Sequence, residues 1–367
     1  MKVVLYTGLF LILSVSTIVT KTQPRRLFKH VVHIGIDGLK PDCIANATGG
    51  ASNIRKLGEG GSWTHTKART VIQTVSGPSW TAALCSLGPR MSGVRNNQWK
   101  VPWIKSNNFT PQIPPITGVN QPFPCIFEIL KKQDSDFQTA YFFNWDWLQN
   151  LGNKGIPGGY IDYEVDVGHF GKTPEDFKTV DEYVAGNATK YIKDTLKPKL
   201  KSYSFIHLVY VDEIGHLFGW CSQEYENAVG VIDNLVGDII GAIETIPELK
   251  DDTLIIVHSD HGAIFNDTRH AFKESIEGLL IPVYLKGTGI KKGYEIQADI
   301  VIEDMAPTIM FGLGFNPHKV WTGAPIKEVF DTEEINACSD CGHPVCEGIV
   351  VLFINAFILL KNYINSN

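Results

Sequence analysis

Short apolar runs recur along the chain at residues 31–36, 137–143, 203–211, 253–258 and 279–285. Runs of this length, rich in Val, Ile, Phe and Tyr, suit strands covered on both faces, where alternation gives way to continuous hydrophobicity. Between them, residues 174–196, 223–246 and 303–311 carry apolar positions at helical spacing. The first of these opens with Thr173-Pro174-Glu175, a capping hydroxyl followed by proline at the first helical position. Strands alternating with helices predict an α/β fold, a mostly parallel sheet covered on both faces. Residues 100–125 break the pattern: Pro102, Pro111, Pro114, Pro115, Pro122 and Pro124 make them an irregular insertion, a wall or lid beside a site. With no internal repeat and no linker, residues 27–335 read as one domain.

Composition narrows the class. The chain has 367 residues, of which 44% are hydrophobic and 20% charged, enough to bury roughly three quarters of its unfolded surface. A formal net charge of −6 without a basic stripe argues against a stable nucleic-acid complex. Residues 1–20 read as a signal peptide: Lys2, an apolar run over 3–19 and the small residues Ser14 and Ser16. A retained N-terminal anchor is the alternative, and both place the domain in the secretory pathway, at the cell surface, outside the cell or in an endomembrane lumen. Sequons at Asn46, Asn108, Asn187 and Asn266 agree with a glycoprotein. Seven cysteines in such a compartment predict disulfides, with pairing open. Residues 336–367 form a tail: Cys338, Cys341 and Cys346 beside His343, then an apolar run over 349–360. That run is too short to span a bilayer and reads either as a C-terminal attachment signal for a glycolipid anchor or as a packed helix.

The chemistry sits where the strands end. Asp37 closes the first run, and Tyr210-Val211-Asp212-Glu213-Ile214-Gly215-His216 closes the third, its Gly215 expected to bend the chain so that Asp212 and His216 meet one ion. Asp260 and His261 close the fourth, with His270 nine residues on. Acid and imidazole delivered from three strand ends to one sheet edge predict a shared metal site. His258 is expected to face away and pack. Ser76 and Gly77 precede Pro78 at the start of a helix, where free N–H groups and the dipole favour phosphoryl oxygens. A hydroxyl there becomes a nucleophile once a metal lowers its pKa. Trp99, Trp103, Tyr141, Trp145 and Trp147 flank the insertion and serve either as packing or as a platform for a flat substrate group.

Taken in order, Asp37, Ser76-Gly-Pro, Asp212-x-x-x-His216, Asp260-His261-Gly262 and His270 resemble the alkaline phosphatase superfamily, most closely its type I phosphodiesterase/nucleotide pyrophosphatase branch. The resemblance runs from about residue 30 to about residue 330 and includes Gly88-Pro89, Gly93-Val94, Asn97, Ile281-Pro282, Gly287 and Met305-Ala306-Pro307-Thr308. It implies the three-layer α/β/α sandwich of that superfamily and two divalent metal ions, expected to be Zn2+. Asp37, Asp260, His261 and Ser76 would hold one ion and Asp212, His216 and His270 the other, with Asn97 donating to a phosphoryl oxygen. The implied substrate is a small phosphodiester, a nucleotide or a lipid headgroup.

Three positions depart from the pattern: the nucleophile is Ser76 where relatives carry Thr, with Ser79 in place of Asn, and Ser92 stands where many relatives have His. Sulfatases of the superfamily carry Cys or Ser followed by x-Pro-x-Arg, whereas this chain reads Ser76-Gly-Pro-Ser-Trp80. Without Arg at position 80 the formylglycine route is not expected. A phosphomonoesterase, or an inert binding protein on the same fold, are the remaining alternatives.

Overall fold

The computed structural model describes residues 26–100, 124–152, 159–168, 171–270 and 275–331. The signal-peptide and tail readings, most of the Pro-rich insertion with Trp103, and the Asn108 sequon lie outside them. Ten strands occur among the described residues: β1 His30–Ile36, β2 Ser62–Thr64, β3 Ala68–Arg69, β4 Gln138–Phe143, β5 Tyr163–Asp166, β6 Ser202–Leu208, β7 Thr253–Ser259, β8 Val283–Lys286, β9 Tyr294–Glu295 and β10 Ile300–Val301. Eight form one sheet in the order β5-β4-β6-β1-β7-β8-β2-β9, and β3 pairs with β10. The sheet is mostly parallel, with β8 antiparallel to both β7 and β2.

The helices are α1 Pro41–Ile44, α2 Ser52–Glu59, α3 Ser76–Cys85, α4 Pro89–Ser92, α5 Ile126–Gln133, α6 Pro174–Asp194, α7 Tyr210–Phe218, α8 Gln223–Glu244, α9 Pro247–Lys250, α10 Ile276–Leu279 and α11 Met305–Gly312. Every residue of β1, β6 and β7 is buried, because both faces are covered. On one face Val31, Tyr203, Phe205, Leu254 and Ile256 meet α3, α5 and α11. On the other Val32, Ile34, Ile36, Ile206, Ile255 and Val257 meet α2, α6, α7 and α8. The alternation of side chains along a strand feeds both cores at once. The result is the expected three-layer sandwich.

Most element ends agree with the hydrophobic pattern. Thr173 caps α6 in a reciprocal box with Asp176. Two runs differ. The run at 203–211 divides, its strand stopping at Leu208 and α7 beginning at Tyr210, and the run at 279–285 is strand only from Val283. A continuous apolar run does not mark where a buried strand yields to a buried helix, because both hide the same residues. No helix among the described residues is long and apolar enough to cross a membrane.

Among the described residues, two disulfides cross-link the fold. Cys43 of α1 pairs with Cys221 beyond α7, Cα atoms 5.4 Å apart, and Cys85 at the end of α3 pairs with Cys125 before α5. The first spans 178 residues, so the chain-entropy argument assigns it a stabilisation of up to about 5 kcal/mol. Replacing Cys43 and Cys221 together by Ser should lower unfolding stability by about 2–5 kcal/mol, read as a lower urea midpoint with a steeper slope, since the freed unfolded chain exposes more surface. An unchanged midpoint would contradict the structural role given to this bridge.

Candidate metal centre

β1 lies between β6 and β7, all three parallel, with Ile36 level with Leu208 on one side and Ser259 on the other. Whatever follows each strand arrives at one point above the carboxyl edge, where open α/β sheets bind ligands. Asp37 follows β1 and donates its N–H to the Leu208 carbonyl at 2.8 Å. Asp260 and His261 follow β7. Asp212 and His216 follow β6 from within α7, so the expected bent strand end is a helix, and spacing of four puts both on one helix face, Asp212 Oδ2 3.4 Å from His216 Nε2. Gly215 serves there as space, not as a bend: a Cβ would come within 2.5 Å of the Trp220 ring.

Two triads result. Asp37, Asp260 and His261 offer ligand atoms within 4.8 Å of one another, and so do Asp212, His216 and His270. They adjoin: His261 Nε2 is 3.7 Å from Asp212 Oδ1, and the His261 and His270 rings stack with centroids 3.7 Å apart. Ser76 opens α3 over the first triad, its Oγ 3.4 Å from Asp37 Oδ1 and 3.5 Å from His261 Nε2. Asn97 accepts the Gly77 N–H on Oδ1 at 2.7 Å. That N–H is therefore engaged, contrary to the expectation of a free donor at the helix start. Because a backbone N–H can only donate, the contact fixes the amide orientation and leaves the Asn97 NH2 as the group it can offer a ligand.

Each histidine is held the same way. His216 Nδ1 faces the Thr268 carbonyl at 2.9 Å, His261 Nδ1 the Gly262 carbonyl at 3.2 Å, and His270 Nδ1 the Thr74 carbonyl. With Nδ1–H donated to backbone, Nε2 is the atom presented to the centre, the arrangement that metal-ligating histidines adopt. Asp37 is held from behind, its Oδ2 accepting from Trp80 Nε1 at 3.0 Å and lying 3.0 Å from His207 Nε2.

Three carboxylates and three imidazoles packed in this space shift one another's proton affinities strongly. Burial raises the Asp37 carboxyl, but hydrogen bonds from His207 and His261 outweigh it and hold the group well below its usual range. Burial, with the Asp37 charge added, pushes Asp260 well above that range. Burial lowers His261 and His216, yet Asp260 and Asp212 respectively more than reverse this, raising them to about 10 and about 9. His270 falls to about 4 through burial and the neighbouring His261. Asp212 Oδ1 and Asp260 Oδ2 are buried and accept no hydrogen bond, a costly state for a carboxylate oxygen. Hard oxygen and imidazole donors converging around orphaned carboxylate atoms fit divalent metal ions, one per triad.

Several supporting residues escape a reading of the sequence. Trp80, His207 and Thr74 are in this class; Thr74 Oγ1 also donates to the His270 carbonyl at 2.6 Å, which ties the His270 loop to the Ser76 loop. Their partners lie up to 196 positions away, so no local motif announces them. His258 packs as expected, bonded to His33 and to the Ser259 carbonyl. Ser79 and Ser92 are buried and bonded to Thr70 and to the Gly88 carbonyl, away from the triads. Of the aromatics, Trp147 packs on Gly77 and stacks on Trp145 at 5.1 Å beside Ser76, whereas Tyr141 is core, donating to the Leu148 carbonyl.

Residues 31–302 match the family model of type I phosphodiesterase/nucleotide pyrophosphatase. The chain belongs to that family. Among curated proteins it is similar to the low-salt glycan biosynthesis sulfotransferase Agl7 of Haloferax volcanii, 25% identical over 254 residues, 66% of this chain and 55% of that protein. It is also 34% identical to arylsulfatase K of Gallus gallus over 80 residues, 21% of this chain and 15% of that one. The chain thus spans about half the length of the first of these relatives and less of the second. Solved structures share the fold. The 2-O GAG sulfatase BT1596 superposes with a TM-score of 0.63 at 13% identity, covering 83% of this chain and 74% of that one. The lipoteichoic acid synthase LtaP of Listeria monocytogenes gives 0.59 at 17%, covering 82% and 76%. An alkaline phosphatase superfamily protein of Vibrio parahaemolyticus gives 0.55 at 17%, covering 83% and 71%. The fold is therefore that of the alkaline phosphatase superfamily.

A metal ion must displace the protons that the neighbouring carboxylates hold on His216 and His261. Since both pKa values are raised, to about 9 and about 10, the stability they lend the metal-free chain is complete below about pH 6.5 and is lost as pH rises through those values. Metal affinity has the opposite sign and strengthens with pH. Zinc binding at neutral pH should release at least about two protons per chain, declining through pH 9 and 10, as read by calorimetry in buffers of different ionisation enthalpy. Binding without proton release would contradict this electrostatic picture.

Proposed function

We propose that this chain is a zinc-dependent hydrolase of phosphoric diesters in which Ser76 is the nucleophile. The carrying observation is Ser76 Oγ poised 3.4 Å from Asp37 and 3.5 Å from His261, beside two adjoining ligand triads. When bound, a divalent ion at each triad lowers the hydroxyl pKa and neutralises charge on the phosphoryl and departing oxygens. Ser76 Oγ, its proton released to solvent, would then form a bond to phosphorus as the bond to the leaving oxygen breaks in line, the leaving group taking a proton from water and the serine keeping the phosphoryl group. Attack by water on the other side would break the Oγ–phosphorus bond, its oxygen going to phosphorus and one of its protons to Oγ, which restores Ser76. Asn97, oriented by Gly77, offers its NH2 to a phosphoryl oxygen. Trp145, half-buried and stacked on the buried Trp147 beside Gly77, is the ring placed to meet a flat substituent.

A lipid headgroup diester has its own support. Ile72, Leu217, Phe218, Phe265 and Ile276 are exposed on segments that bear or adjoin Ser76, His216, His261 and His270. The Trp220 backbone N–H bonds the Asp267 carbonyl and the Phe265 N–H bonds Glu277, which ties three of these segments together. Exposed apolar side chains on such segments suit a substrate with a nonpolar arm.

The test compares p-nitrophenyl esters of a nucleotide, of phosphorylcholine, of phosphate and of sulfate, under EDTA and with zinc restored. Diesters should be hydrolysed fastest, EDTA should abolish turnover and zinc should restore it. Ser76→Ala should cut kcat by roughly three orders of magnitude or more while the protein still binds zinc. Wild-type-like hydrolysis by Ser76→Ala would remove the nucleophile assignment, and preference for the monoester or the sulfate would remove the diesterase reading.

A further inference from the structure

One buried carboxylate reaches both triads although it belongs to neither. Asp181 lies on α6 with 0% of its surface exposed. It accepts the Val209 N–H on Oδ1 at 3.0 Å and the Tyr210 N–H on Oδ2 at 2.9 Å, satisfying the start of α7, the helix that carries Asp212 and His216. Its Oδ1 also accepts from Asn144 Nδ2 just beyond β4. The other end of that amide, Asn144 Oδ1, lies 2.9 Å from His207 Nδ1, and His207 Nε2 lies 3.0 Å from Asp37 Oδ2. Backbone N–H groups can only donate, so Asp181 must accept, and this sets the direction of the Asn144 amide in turn. All four side chains are buried. Burial pushes the Asp181 carboxyl up to about 7, so the fold keeps this group at a cost that its partners offset.

We propose that Asp181 is a positioning residue for both triads. Through the N-terminus of α7 it sets the height and rotation of Asp212 and His216; through Asn144 and His207 it sets the carboxylate plane of Asp37. A single side chain thereby couples the spacing of the two metal sites, the distance on which in-line displacement between them depends. The bland alternative is a buried helix cap that contributes stability and nothing else. The molecule contains a matched example of that: Asp233 of α8, also buried, accepts the Asn53 N–H at 3.1 Å, the Ile54 N–H at 2.8 Å and Asn53 Nδ2 at 3.0 Å at the start of α2, with no link to a triad.

The experiment sets Asp181→Asn against Asp233→Asn, reading zinc affinity by competition with a chromogenic chelator, kcat and KM on a p-nitrophenyl diester at saturating zinc, and urea unfolding. Asp181→Asn should weaken zinc binding roughly 10–100-fold and lower kcat about tenfold or more with KM changed less than about threefold, as expected for displaced reacting groups. Asp233→Asn should lose comparable stability and keep zinc affinity and kcat within about twofold, as expected of a cap alone. Should Asp181→Asn fail to fold, Asn144→Ser cuts only the arm to His207 and should weaken the Ser76-side site alone. This inference rests on the two-metal reading of the centre. A wild-type chain that takes up no zinc overturns both. Uptake of about two ions by the wild type, with Asp181→Asn and Asp233→Asn behaving alike, or with Asn144→Ser binding zinc as the wild type does, overturns this inference alone.

Discussion

Three carboxylates, Asp37, Asp212 and Asp260, are buried within one small volume at the carboxyl edge of the sheet. Taking charges out of water costs several kcal/mol for each ion even after relaxation, and the protons held on His216 and His261 offset it only in part. His261 faces all three acids and is raised to about 10, yet two carboxylate oxygens still find no donor. Much of the surrounding structure answers this one imbalance. The backbone carbonyls of Thr74, Gly262 and Thr268 turn three imidazoles inward, and Trp80 and His207 steady Asp37. Those unpartnered oxygens are what divalent ions would engage, and their binding would then be linked to the stability of the fold.

The sheet makes that concentration of charge possible. Burying β1, β6 and β7 on both faces aligns their ends, so that Asp37 and Asp260 need no loop to reach each other. Close approach is bought with small residues: a Cβ at Gly35 would meet Trp80 at 2.3 Å, and one at Gly38, where φ is +65°, would meet Asp212 at 2.5 Å. Gly35 thus admits the indole that holds Asp37, and Gly38 admits the second triad beside the first. Packing and chemistry share these positions, so a substitution there would disturb both.

Legibility from the sequence followed the range of the interactions. Strand-terminal acids and histidines stand out because they interrupt apolar runs, and the two triads contain the residues that the family resemblance implied. The turn of Asp212 and His216 was misread because four-residue spacing serves a helix face as well as a bent loop, and an apolar run conceals the boundary at Val209. The disulfide partners of Cys43 and Cys85 and the chain from Asp181 through Asn144 and His207 to Asp37 were not legible at all. A buried polar residue far in sequence from its partner looks like any other polar residue until the fold joins them.

The fold is shared with sulfatases, so the choice between sulfate and phosphate chemistry must come from particular side chains. Position 80 is informative. The sulfatase signature needs Arg there, and here Trp80 is fully buried, seated on Gly35, against Phe205 and His207, with its N–H given to Asp37. An Arg in that space would bring a second cation onto the carboxylate that the indole now orients while leaving it free to bind an ion. Where that signature has Arg, this chain has an indole that holds the Asp37 carboxylate in place. Ser76, two residues before Pro78 and 3.4 Å from that same carboxylate, lacks the Arg partner of that signature, which supports the proposal that it acts as a hydroxyl on phosphorus.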